Sequence, residues 1–91
     1  MLSIVPSTRF RRDYKRVSRG PHNLSPLRRI VESLAKEEPL PPSDRDHKLQ
    51  GGDYRGCRDC HVHGDLVLIY RIRDARLELV RIGSHAELGI E

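Results

Sequence analysis

Residues 57–65, "CRDCHVHGD", place two cysteines, two histidines and two aspartates beside the apolar run Leu66–Tyr70. Side chains of these types can hold a metal, cycle a disulfide, or move protons without a cofactor. The first two chemistries fit the spacing poorly. On an extended strand Cys57 and Cys60, three apart, point to opposite faces and cannot chelate one ion. No turn residue between them bends the chain back, and a redox C-x-x-C pair belongs at a helix N-terminus after a strand, which is not the pattern here. The cysteines are therefore expected to be half-buried bystanders, and no metal or cofactor is expected. Histidine suits proton transfer, because its ordinary pKa lies nearest neutrality. Four of the five histidines, His47, His61, His63 and His85, fall in the second half of the chain near loops or strand ends.

Those residues need a scaffold. "LSIV" reads as a short strand closed by Pro6, followed from Ser7 by a helix with Phe10, Tyr14 and Val17 on one face. Arg9, Arg11, Arg12, Lys15 and Arg16 surround that face, and Gly20 and Pro21 stop the helix. In the second helix Ser25 is the N-cap, Pro26 sits in the first turn, and Leu27, Ile30, Val31, Leu34 and Ala35 form the stripe. The proline-rich "EEPLPPSDRDH" is a surface connection. Four runs follow, "HKLQ", "YRGCRDCHV", "LVLIYRIR" and "RLELVRIG", separated by "GGD", "HGD" and "DA", which predicts an antiparallel meander. "LVLIY", apolar on both alternating faces, is its central strand. The expected fold is α+β: a small twisted antiparallel sheet packed against an N-terminal helical hairpin, one domain over residues 1–91, with the second sheet face partly free.

The chain has 91 residues, 36% hydrophobic and 33% charged, so one thin core and a solvated surface are expected. Seventeen Lys plus Arg against thirteen Asp plus Glu give a formal charge of +4. Arginine dominates, the better fork for phosphate and carboxylate, which favours a polyanionic partner. There is no signal-peptide pattern and no run of transmembrane length, so a cytoplasmic protein with no membrane partner is expected.

Three ordered blocks carry a resemblance: "RDHKLQG" (45–51), "YRGCRDCHVHGDLVLIYRI" (54–72) and "LVRIGSHAEL" (79–88). In order and spacing they resemble the RelE superfamily of bacterial toxins, and within it the YafQ-type mRNA interferases. The resemblance implies the toxin of a type II toxin-antitoxin system, a ribosome-dependent endoribonuclease that cuts messenger RNA in the A site. It also implies a cognate antitoxin partner, a toxin-antitoxin hetero-oligomer, and functional positions at His47, His61, Asp65, Arg81 and His85.

Metal-free cleavage of RNA uses the 2′-hydroxyl as nucleophile, so it needs a base, an acid for the leaving 5′-oxygen, and a cation on the phosphate. Arg81 suits the phosphate. His85, four residues on, returns to the same face if the strand continues and is the expected acid. Asp65 and His61 flank the turn and could orient one another, with either of them or His47 as base. Arg58 is expected to anchor ribosomal RNA, or else to pair with Asp59 or Asp74. The arginine-rich first helix, Arg9 to Arg16, reads as a ribosome-binding stripe. Two positions depart from the family pattern: Leu66 stands where tryptophan is usual, and Gly89 where an aromatic is expected. Both aromatics would stack on an unpaired base. Alternatives are a weakened homologue acting mainly through its antitoxin, and a basic RNA-binding module that does not cleave.

Overall fold

A computed structural model of the chain describes residues 1–49 and 52–90. Five strands, β1 (Ser3–Pro6), β2 (His47–Lys48), β3 (Arg58–His63), β4 (Leu66–Arg73) and β5 (Arg76–Ser84), form one sheet in the order β1-β5-β4-β3-β2. Helices α1 (Thr8–Ser18) and α2 (Ser25–Ala35) cover one face, and a short α3 (His85–Leu88) follows β5. The α+β architecture with two N-terminal helices on the sheet is as expected. The sheet is only mostly antiparallel, however, because β1 returns to pair parallel with β5, Ser3 opposite Arg76 through Pro6 opposite Leu79. A four-residue apolar run cannot reveal its partner, which lies at the other end of the chain.

The helices start and stop for local reasons. The Ser7 hydroxyl accepts the Phe10 N–H at 3.0 Å and caps α1. Ser25 is not the cap of α2: it is the first helical residue, its N–H donating to Asn23 Oδ1 at 2.9 Å. The buried stripe of α1 also differs from the apolar count. Phe10, Asp13 and Val17 face inward, whereas Tyr14 is 43% exposed. Positions 10, 13 and 17 share a helical face as well as 10, 14 and 17 do, and an ion pair to Asp13 decides between them.

The meander is shorter at its start than expected. β2 holds two residues, and Gly52–Tyr54 form a single 3-10 turn, so β3 begins at Arg58 and not at Tyr54. Gln50, the end of the expected "HKLQ" strand, and Gly51 of the expected turn lie outside the described residues. Strand β4 is central, and Leu66 through Tyr70 are all buried, as its double-sided apolar pattern required.

Two clusters sandwich β4. The larger lies under α1 and α2 and includes Phe10, Ile30, Leu34, Cys60, Leu68, Tyr70, Leu77 and Ile82. The smaller lies on the second face, where Cys57, Val67, Ile69 and Leu88 pack with Tyr54, Val80 and Ile90. That face is therefore covered at its centre by α3 and the segment before β3. Cys57 and Cys60 sit in different clusters, both as free thiols, as strand parity predicted. Burial raises the pKa of each thiol and so disfavours the thiolate form.

Beyond Leu79 no strand among the described residues lies on the outer side of β5, because β1 ends at Pro6. Side chains of α1 and its cap take over. The Ser7 N–H donates to the Leu79 carbonyl at 2.9 Å, and the Ser7 hydroxyl to the Val80 carbonyl at 2.8 Å. The Ile82 N–H donates to Asp13 Oδ2 at 3.2 Å, and Arg16 Nη2 donates to the Ile82 carbonyl at 3.4 Å. The register shifts between Ile69, opposite Arg81, and Tyr70, opposite Leu79, so Val80 is an extra residue in β5. Such a bulge re-aims the side chain that follows it.

Replacing Leu68, fully buried in β4, by alanine is expected to cost about 2–5 kcal/mol in urea unfolding. Ile72→Ala in the same strand, at a side chain 44% exposed, is expected to cost less than about 1 kcal/mol.

Candidate functional site

The strand register brings His47, Asp59, Ile69 and Arg81 into one row across β2, β3, β4 and β5. His61, Val67 and Gly83 form the next row on the same side, two residues along. Four chemically active residues, His47, Asp59, His61 and Arg81, thus collect at one end of the second sheet face. His63 is not among them, since the register shifts between His61 and His63 and the latter is exposed.

His85 arrives there by a route that strand parity does not describe. β5 ends at Ser84, whose hydroxyl accepts the Glu87 N–H at 3.1 Å while Glu87 Oε1 accepts the Ser84 N–H at 2.9 Å. This capping box starts α3 at His85 and turns the side chain back over the sheet. The His85 ring packs against His61 with centroids 5.1 Å apart. Its Nδ1 donates to Asp65 Oδ1 at 2.5 Å. Asp65 therefore orients His85, not His61, and that hydrogen bond holds its carboxyl below the usual range. Proton exchange between His85 and a ligand falls to Nε2, the nitrogen Asp65 does not use.

The two rings differ in setting. Partial burial, then the neighbouring His85, push the His61 pKa below its ordinary value. Asp59, expected from the sequence only as a possible partner of Arg58, lies beneath the cluster, 1% exposed. Burial raises its pKa against the pull of His47, His61 and His85. Its Oδ1 is 3.0 Å from His47 Nδ1 and makes no hydrogen bond among the described residues. His47 Nδ1 instead donates to the Arg45 carbonyl at 2.9 Å, and a carbonyl can only accept, so this nitrogen carries the proton. The signal for Asp59 was its two-residue spacing from His61, which places both on one face of a strand.

Arg81 extends from the bulge between α1 and the 52–54 turn. Its Nε and Nη2 donate to Asp13 Oδ2 and Oδ1 at 2.7 and 2.8 Å, and Nη1 lies 3.5 Å from the Tyr54 hydroxyl. The Asp13 hydrogen bond raises its pKa further, so the guanidinium is permanently charged.

Several expected RNA contacts are engaged elsewhere. Arg16 donates to Asp13 Oδ1 at 2.9 Å and pairs with Glu87 at 3.1 Å, so it leaves the outward stripe. Arg9, Arg11, Arg12 and Lys15 remain exposed on α1. Arg58 pairs with neither Asp59 nor Asp74: its Nε donates to Asp46 Oδ1 at 3.1 Å, an oxygen that also accepts the Tyr70 hydroxyl at 2.6 Å. The two departures from the family pattern have structural roles. Leu66 is fully buried in the main core. Gly89 adopts φ +71°, a left-handed value that ends α3, with the Ile90 N–H donating back to the His85 carbonyl at 3.1 Å.

A family model described as the bacterial toxin of type II toxin-antitoxin system, YafQ, matches residues 2–89. The mRNA interferase toxin YafQ of Escherichia coli K12 is 35% identical over 83 residues, which span 90% of this chain and 89% of that protein. A metal-bound toxin from Helicobacter pylori is 42% identical, with a TM-score of 0.87 over 97% of this chain and 99% of that one. YafQ in the E. coli DinJ-YafQ complex is 34% identical, with a TM-score of 0.85 over 97% and 98%. The metal belongs to the Helicobacter protein: among the described residues here, no three His, Cys, Asp or Glu side chains converge to hold one. No helix among them is long and apolar enough to cross a membrane.

In an NMR titration, His61 is expected to take up its proton below its ordinary value of 6.5. His85→Ala is expected to move that midpoint upward, since it removes a like charge and part of the burial. A wild-type midpoint above 6.5 would contradict the environment described.

Proposed function

The chain belongs to the YafQ family of toxins from bacterial type II toxin-antitoxin systems, and on that basis we propose that it is an endoribonuclease that cuts messenger RNA in the ribosomal A site. The observation that carries this reading is the His61–His85 pair, with a carboxylate on one ring and partial burial around the other. Two adjacent titratable groups whose surroundings differ are what divides acid from base.

His61, held neutral near pH 7, removes the proton from the 2′-hydroxyl. The new alkoxide attacks the adjacent phosphorus, and the 5′-oxygen leaves with a proton from His85 Nε2. This forms a 2′,3′-cyclic phosphate end and a 5′-hydroxyl end. Asp65 accepts from His85 Nδ1 and keeps its ring in place with Nε2 free for transfer. Arg81 stabilises the negative charge that builds on the phosphate oxygens. His47, across the row, binds a flanking phosphate, and Asp59 lies beneath it, Oδ1 3.0 Å from His47 Nδ1. Asp65 serves poorly as base because His85 already occupies it.

Arg9, Arg11, Arg12 and Lys15 present charge to ribosomal RNA, where several phosphate contacts give a steep salt dependence. A cognate antitoxin inhibits the protein in a hetero-oligomer, as the DinJ-YafQ complex supports. No step draws on a cofactor.

Chelator-treated protein, assayed on programmed ribosomes with magnesium resupplied, is expected to cut at the A-site codon by primer extension. His85→Ala is expected to lose about 100- to 10,000-fold, and Arg81→Ala about 100- to 1,000-fold. As pH falls below 6.5, the rate should drop, because protonation of His61 removes the base. Intact messenger with folded wild-type protein would instead favour a homologue that acts through its antitoxin.

A further inference from the structure

Arginine 81 reaches its place on a long side chain, from a bulged strand, with a carboxylate of another element across its Nε–Nη2 edge. We propose that Asp13 is a positioning residue for cleavage: it grips the Arg81 guanidinium side-on, so that the Nη1–Nη2 end is presented to the scissile phosphate. The proposal rests on the assignment of Arg81 as the phosphate ligand.

The Asp13 carboxylate is saturated. Oδ1 accepts from Arg81 Nη2 at 2.8 Å and Arg16 Nη1 at 2.9 Å, and Oδ2 from Arg81 Nε at 2.7 Å and the Ile82 N–H at 3.2 Å. An ionised carboxylate has about four acceptor sites, so none remains to draw it towards water. The backbone donor sets its orientation relative to β5, and α1 sets its depth. It is also 2% exposed, so a phosphate entering the site does not meet it directly. Two bonds in the guanidinium plane fix both the direction and the roll of that plane.

What Asp13 gives up is charge. Asp13, Arg81, Arg16 and Glu87 together are formally neutral, so the network adds no net attraction for RNA. Its contribution is therefore the aim of the remaining N–H donors. Arg81 Nη1 keeps both its hydrogens clear of Asp13, and the Tyr54 hydroxyl 3.5 Å away marks the direction in which that end points. Gly83 permits this arrangement: a Cβ there would lie 3.1 Å from both Arg16 Nη2 and Glu87 Oε1.

A purely structural Asp13 and a positioning Asp13 differ in which kinetic quantity changes. The test is single-turnover cleavage on programmed ribosomes by wild type, Asp13→Asn, Arg81→Ala and the double variant, each confirmed folded by its melting curve. Positioning predicts that Asp13→Asn slows the rate at saturation on the order of 10- to 100-fold, as misplacement by about 1 Å does. The half-saturating ribosome concentration should stay within about twofold, and Asp13→Asn should add less than about twofold in the Arg81→Ala background.

A folded Asp13→Asn at the wild-type rate overturns the proposal, and so does a full multiplicative loss in the double variant. If Asp13→Asn melts below the assay temperature, Asp13→Glu decides. It keeps the charge but moves the carboxylate by one methylene, so slow cleavage at unchanged half-saturation supports positioning and a wild-type rate overturns it. Wild-type protein that leaves the messenger intact overturns the nuclease assignment itself, and the proposal with it.

Discussion

The open side of β5 is the constraint around which this molecule is arranged. Buried backbone N–H and carbonyl groups must find partners, and β1 supplies them only as far as Leu79. Beyond that point Ser7, Asp13 and Arg16 complete the strand in place of backbone. A carboxylate used this way cannot stay unpaired once buried, because an isolated charge there is unfavourable by several kcal/mol. Arg81 is its counter-charge. The packing of a helix on a strand edge and the charge of the site thus share one group.

The site separates its tasks by depth. Asp65 is exposed and reaches His85 from a turn, Asp59 is buried under the histidines, and Asp13 lies behind the arginine. Three carboxylates of one chemical kind thereby sit in three dielectric settings. Burial opposes ionisation of Asp59, whereas Asp13, hydrogen-bonded on both oxygens, has its burial outweighed by Arg81, Arg16 and the Ile82 amide.

Much of this was legible in the sequence, in identifiable places. Period-3.6 and period-2 patterns located α1, α2, β3, β4 and β5, because each carries enough residues to display a face. Strand parity separated Cys57 from Cys60. The same parity misled at His85, where Ser84 and Glu87 convert strand to helix within one residue. Pairings distant in sequence were invisible: β1 with β5, Asp13 with Arg81, and Asp46 with Arg58 and Tyr70. A lone acid among the cations of α1 was the trace Asp13 left. Counting apolar residues alone assigns its side of the helix to Tyr14.

The parallel pairing of β1 with β5 also bears on when the protein becomes active. Residues 3–6 have no strand partner until residues 76–79 exist, and Asp13 has no counter-charge until Arg81 does. Closing so long a loop is entropically slow, and nothing local stands in for it. During synthesis α1 emerges early, and its Asp13 carboxylate, buried in the folded chain, is still hydrated. Only when β5 has cleared the ribosome can the sheet close, and the last strand to arrive carries the arginine and leads directly into His85. A chain of this topology therefore completes the row of His47, Asp59 and Arg81 only after its last strand has emerged.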